Sequence, residues 1–277
     1  MKKFLILNLK LAFALVLLWS AGCGNQRDNA KKELERLGIE YSEKSFLYRL
    51  RKGDAIMTNL FLTAGMNPNA RFLRSYDSTS QGELNEPTPL MIAARDGYSK
   101  LVRLLLARGA DVNAVATNGQ TALMYAARYA PLDVMELLIH RGADVNAKDE
   151  DGKSALTFAV LFDRIEIIQS LLQNGADVNA RDRFHFTPLM QAALKGKINV
   201  IQTLLEKGAD IKAANDQGQT VLMLATEYNR IEAVRLLLKN DADVLICDKH
   251  NHTALDIAKS KKYETIAEML SDSMTQH

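Results

Sequence analysis

The feature that most limits what this chain can become is an internal repeat of 33 residues. Thr88, Thr121, Ser154, Thr187, Thr220 and Thr253 follow one another at that interval. Two residues beyond each lies a leucine: Leu90, Leu123, Leu156, Leu189, Leu222 and Leu255. Gly109, Gly142, Gly175 and Gly208 keep the same period, each followed by Ala-Asp, and Asp241 takes the glycine's place in the fifth copy. A unit this short cannot enclose a core of its own. In-register copies without a gap therefore predict a stack in which each unit buries its apolar face against its neighbours.

Each residue type in the unit has a local reason. Thr or Ser is a good helix N-cap, and the proline of Thr88-Pro89-Leu90 and Thr187-Pro188-Leu189 sits where a helix has no use for its N–H. Ala93-Ala94, Ala126-Ala127 and Ala192-Ala193 give the first helix a thin face that lets neighbours approach. Leu105-Leu106, Leu138-Ile139, Leu171-Leu172, Leu204-Leu205 and Leu237-Leu238 supply the second helix with matching apolar pairs. Gly109 and its equivalents end that helix in a left-handed residue. Asp111 and Asn113 suit bonds to loop backbone, and Gly119, Gly152 and Gly218 mark a hairpin turn before the next cap.

On these residues the chain resembles the ankyrin repeat family, from about residue 43 to its C-terminus. The His that usually follows Thr-Pro-Leu is absent; Met91, Met124, Met190 and Met223 stand there, with Thr157 and Asp256 in the remaining copies. A bacterial branch of the family often looks this way. The resemblance implies an all-α repeat solenoid of helix–turn–helix units joined by β-hairpin-like loops. The expected copies are 87–116, 117–149, 150–182, 183–215, 216–248 and a C-terminal cap at 249–277. Asp256, Lys259, Lys261, Lys262 and Glu268 give that last copy the polar outer face a terminal repeat needs. A worn copy precedes them at 43–70, with Phe46 matching Leu90 and Gly53 matching Gly97. Its spacing of 44 to the next copy leaves 11 inserted residues, expected as a long exposed loop within 71–86.

The N-terminus reads as an address. Lys2 and Lys3 form a short positive region, and 11–19 is an unbroken apolar run, too short for a spanning helix of about 20 residues but suited to a secretion signal over 1–22. Ser20-Ala21-Gly22-Cys23 resembles the lipobox of bacterial lipoproteins, in which the cysteine is lipidated and becomes the mature N-terminus. Ser20 departs from the usual aliphatic residue, and Ser20 and Gly22 also suit ordinary signal peptidase; an uncleaved anchor is a third reading. If Cys23 carries lipid, Cys247 is a lone thiol and no internal disulfide exists. Gly24, in place of the Asp that retains such proteins at the inner membrane, points to the outer membrane facing the periplasm. Residues 24–35 are polar and read as a tether running into a short helix at about 29–37, so that 23–42 links the anchor to the repeats.

Composition narrows the function further. The chain carries 35 basic and 33 acidic residues, and removing the leader takes away Lys2, Lys3 and Lys10 with no acid. That balance leaves no global footprint for nucleic acid. No phosphate-binding glycine loop, metalloprotease helix or nucleophile elbow is present. We therefore expect no cofactor, no catalytic residue and no small-molecule substrate. Three features look like chemistry and have a structural reading beside it. Cys247, Asp248, His250 and His252 crowd one hairpin as a metal half-site, or as a variable loop with Asn251 replacing the turn glycine. His185 occupies the position of Gly152 and Gly218. Asp149, Asp182 and Asp248 recur at one hairpin position, which a repeat explains better than acid–base work. The methionine stripe reads as core filling.

Aromatic placement says more. In the family, the ends of the first helices and the hairpin tips line a concave binding face. Here those positions hold Tyr129, Leu161, Phe162 and Tyr228, and one hairpin adds Phe184 and Phe186. Apolar residues where soluble repeats place polar ones mark a partner site, or else fold back on one another. The expected function is an exported, lipid-anchored scaffold that binds another protein. The rivals are a toxin-neutralising immunity protein and, in a different class, a metal-dependent enzyme using the 247–252 hairpin.

Overall fold

The computed structural model describes residues 25–72 and 86–275. The leader and Cys23 lie outside the described residues, as does nearly all of the 71–86 insertion. Among the described residues there are fifteen helices and no strand. The loops form isolated antiparallel bridges at Val115–Thr121 and Ala214–Thr220. The fold is an all-helical repeat solenoid, as the 33-residue period predicts.

The chain divides into two units, Met1–Ala143 and Asp144–His277. The first opens with α1 (Gln26–Arg36), followed by the pairs α2 (Glu43–Arg51) and α3 (Ala55–Thr63), α4 (Pro89–Arg95) and α5 (Ser99–Ala107), and α6 (Ala122–Tyr129) and α7 (Leu132–His140). The second holds α8 (Ala155–Leu161) with α9 (Ile165–Gln173), α10 (Pro188–Lys195) with α11 (Ile198–Glu206), α12 (Val221–Glu227) with α13 (Ile231–Lys239), and α14 (Ala254–Ser260) with α15 (Glu264–Thr275).

The start of each first helix follows from its cap. Thr88, Thr121, Ser154, Thr187, Thr220 and Thr253 all accept a hydrogen bond from the backbone N–H three residues on. Met91, Met124, Met190 and Met223 are buried. Met91 and Met223 add a second role: each sulfur accepts the N–H of its capping threonine, at 3.4 and 3.5 Å. Of each apolar pair on the second helices, Leu105, Leu138, Leu171, Leu204 and Leu237 are fully buried, while the residue that follows is half-buried. The first residue of each pair thus lies deeper than the second.

Asparagine clamps the loops, but across repeats more than within them. Asn69 donates to Gly109 O and accepts from Asp111 N; Asn146 does the same to Gly175 O and Asp177 N, and Asn179 to Gly208 O and Asp210 N. Where the first helix ends, six of the seven copies place a left-handed residue, Asp163 and Asn229 among them. Ala130 is the exception, with φ −80° and ψ 158°, because Pro131 forces the residue before it into extended backbone.

Two expectations change at the N-terminal end. The worn repeat's first helix ends in register with α4 but begins earlier, capped by Ser42, whose side chain accepts from Ser45 N. Within the polar segment expected as a tether, residues 25–35 are less of a tether than their polarity suggests. The helix starts at Gln26, not near Asn29, and it docks: Ala30 and Leu34 are fully buried, and Arg27 Nε donates to Ala64 O at 3.2 Å. Beneath it Phe46 packs on Phe61 and Phe72, with ring centroids 5.7 and 6.2 Å apart. Phe72 N donates to Pro87 O, so the insertion leaves and rejoins the repeat at one point.

Candidate functional site: first-helix ends and hairpin tips

In the second unit, successive hairpins are laced by one backbone bond each. Arg183 N donates to Asp151 O at 2.8 Å, Asp216 N to Phe184 O at 3.2 Å, and Lys249 N to Gln217 O at 2.9 Å. Inside each hairpin one side chain closes the turn. Asp149, Asp182, Asn215 and Asp248 each accept two backbone N–H groups, from the residues two and four positions on. The recurring aspartates are loop staples with Asn215 as an uncharged equivalent, which a proton-transfer role would not tolerate.

His185 sits in the left-handed turn at φ 59°. Its neighbours show why glycine is usual there. A Cβ on Gly152 would lie 2.9 Å from Arg183 N, and one on Gly218 3.0 Å from Lys249 N. At His185 the lacing bond to the next repeat is the longest of the three, and Nδ1 instead meets Asp216 Oδ1 at 2.5 Å. The ring thus pairs with a carboxylate on the next repeat.

That hairpin presents the most exposed aromatic ring of the second unit. Phe184 is 53% exposed, and the Arg183 guanidinium lies over it at 4.7 Å. Arg183 is held from the other side by Asp151, Nη1 to Oδ1 2.8 Å. The Lys153 ammonium donates to Asp151 and holds its carboxyl below the usual range, with Arg183 adding to the effect. Phe162, directly after α8, and Tyr228, directly after α12, are 40% and 46% exposed. Leu161 and Phe186 do not match the expectation of exposed anchors: both are half-buried. Phe186 is drawn in by its backbone, which exchanges hydrogen bonds with Asp182 in both directions. Tyr129 ends α6 in the first unit, 43% exposed, with Arg128 over its ring at 4.9 Å.

The 247–252 hairpin does not assemble ligands. Asp248 Oδ1 accepts the His250 and His252 N–H groups, and Oδ2 lies 3.7 Å from His252 Nδ1. Burial pushes the Asp248 pKa up, but the His252 and His250 N–H bonds and the charge of the two imidazoles together outweigh that and hold it low. The two imidazoles lie 6.1 Å apart. Among the described residues no group of three or more His, Cys, Asp or Glu side chains is arranged to hold a metal ion. A groove of about 320 Å³ lies between α11 and α13, lined by Gln202, Leu205, Glu206, Leu236, Lys239 and Asn240, on the second helices and away from the aromatic tips.

One set of residues escapes the sequence reading. Lys197 Nζ reaches back to Val160 O and Leu161 O at 3.3 and 3.0 Å, and Arg230 Nε to Leu194 O at 3.0 Å. In the first unit Tyr98 OH likewise donates to Arg51 O at 3.1 Å. These donors cap the end of the preceding first helix, where the candidate anchors emerge. Their shared 33-residue register is the signal that finds them.

Helix pairs, capped alike and clamped repeat to repeat, with side chains presented at the tips, define a solenoid of the repeat class. The family profile described as Ankyrin repeats (3 copies) matches residues 51–149, 145–215 and 189–276. The chain belongs to the ankyrin repeat family, whose repeats are generally protein–protein interaction scaffolds. No curated protein matches the chain.

Proposed function

We propose that this chain is an exported, lipid-anchored ankyrin scaffold that binds a partner protein through its first-helix ends and hairpin tips. The observation that carries the binding surface is the exposure of Phe162, Phe184 and Tyr228 at variable positions of the repeats, while the buried leucines and alanines supply the core. Aromatic anchors of this kind dominate interface energetics when a partner excludes water from them. Arg183, fixed between Asp151 and Phe184, is a pre-ordered cation beside the ring, which lowers the ordering cost of contact. Leu161 and Phe186 serve as the half-buried floor. Tyr129 offers the same aromatic–guanidinium pairing in the first unit. The anchor reading rests on the charged start, the short apolar run and Ala21-Gly22-Cys23, with the outer membrane as the destination. No catalytic role is assigned.

The test is an affinity capture from the native envelope with wild type and a Phe162→Ala, Phe184→Ala double variant. Truncating two anchors at about 2 kcal/mol or more each weakens binding by at least tenfold, while the urea midpoint stays near wild type. A double variant that binds as before places the site elsewhere. One that unfolds makes the rings core.

A further inference from the structure

The described chain begins very close to Cys23. Only two residues separate it from Gln26, where α1 starts, and α1 is fixed to the first repeat by Ala30, Leu34 and the Arg27 bond to Ala64 O. Three residue steps span at most about 10 Å. A diacylated cysteine sits near the boundary of the hydrocarbon layer, and the headgroup layer above it is about 6 Å deep, from the difference between total and hydrocarbon thickness. The slack between headgroups and the first turn of α1 is then only about 4 Å. A flexible tether would need many more residues to let the repeats swing free.

We infer that α1 is a rigid foot, seating the first repeat directly on an anionic bilayer surface. This rests on the lipid-anchor reading of Cys23. The chemistry of the foot agrees. Its first two turns carry Arg27, Lys31 and Lys32 against Asp28 alone. Lys32 is exposed, and Lys31 lies over the half-buried Tyr41 ring at 5.3 Å, which itself stacks on Phe61 at 6.0 Å. Cations on an ordered helix at headgroup depth favour anionic lipid and lose that attraction within a Debye length. The acids Glu33, Glu35 and Glu40 come later, and Glu33 is taken up by Arg36 at 2.6 Å.

The test uses the full-length acylated protein with Cys247→Ser and a fluorophore at Asp28→Cys. The vesicles are phosphatidylcholine with phosphatidylglycerol, brominated near the headgroup. Acylation is read by mass on the same preparation. Strong quenching is expected, falling at least threefold when 20 Gly/Ser residues are inserted between Gly24 and Asn25. It should fall at least twofold in a Lys31→Glu, Lys32→Glu variant. An acylated protein without quenching, or one indifferent to both changes, overturns the seated foot and leaves the anchor intact. A protein without acyl chains overturns the anchor and the foot together.

Discussion

Leu171 gives the sharpest test of how the repeats are held together. It is fully buried in α9, whereas Leu172, the next residue, is half-buried. Leu171→Ala removes three carbon groups, worth about 2.4 kcal/mol at roughly 0.8 kcal/mol each. If the stacked helices do not collapse into the space, a residual void of about 100 Å³ adds around 2.4 kcal/mol more. The expected loss is therefore about 2.5–5 kcal/mol, and Leu172→Ala should cost less than half of that. Backbone bonds do not confound the comparison: the Leu171 carbonyl accepts from Asn174 N and Ala176 N, and neither bond needs the side chain. Urea unfolding followed by circular dichroism gives both values, read from the midpoint at constant m. An unchanged midpoint for Leu171→Ala, or an equal cost for the two leucines, would refute the deeper placement of Leu171.

Other perturbations test separate parts of the account. Thr226 stands where other repeats carry Ala94, Ala127 and Ala193; it is fully buried and, among the described residues, its hydroxyl has no hydrogen-bond partner. Thr226→Val should raise stability by about 1 kcal/mol, and a lower melting temperature would contradict it. Gly152→Ala forces a Cβ to 2.9 Å from the Arg183 amide at φ 76°, and should lower stability by more than about 1 kcal/mol, measured by the same urea titration. The Asp256 carboxyl is held below its usual range, first by the Thr253 hydroxyl and then by the Thr253 N–H. A depressed carboxylate stabilises above its unfolded value near 4 and loses that contribution as pH falls through the folded value. Protection factors of the α14 amides, taken relative to the intrinsic exchange rate at each pH, should therefore fall as pH drops through the folded value, and Asp256→Asn should flatten the dependence. Cys23→Ser should move the protein to the soluble fraction without acyl label; equal membrane retention would sink the anchor.

The sequence by itself determined the repeat, its register and its caps, because these depend on residues acting within one turn of themselves. A threonine caps the helix that follows it whatever lies beyond, and a proline at 131 dictates the backbone of Ala130. It also determined that the methionines are core, since an apolar residue at a strict period has one face to occupy. Tertiary structure decided what depends on the distance between neighbours. It buried Leu161 and Phe186 by half, while Phe162 and Phe184 stayed out. It paired His185 with Asp216 of the next hairpin, and it brought Lys197 and Arg230 back onto the helix ends of the preceding repeats. Above all it docked α1. Ala30 and Leu34 are too sparse an apolar face to read in a polar segment, and they are buried only because α1 packs on α3, next to which Arg27 finds the Ala64 carbonyl.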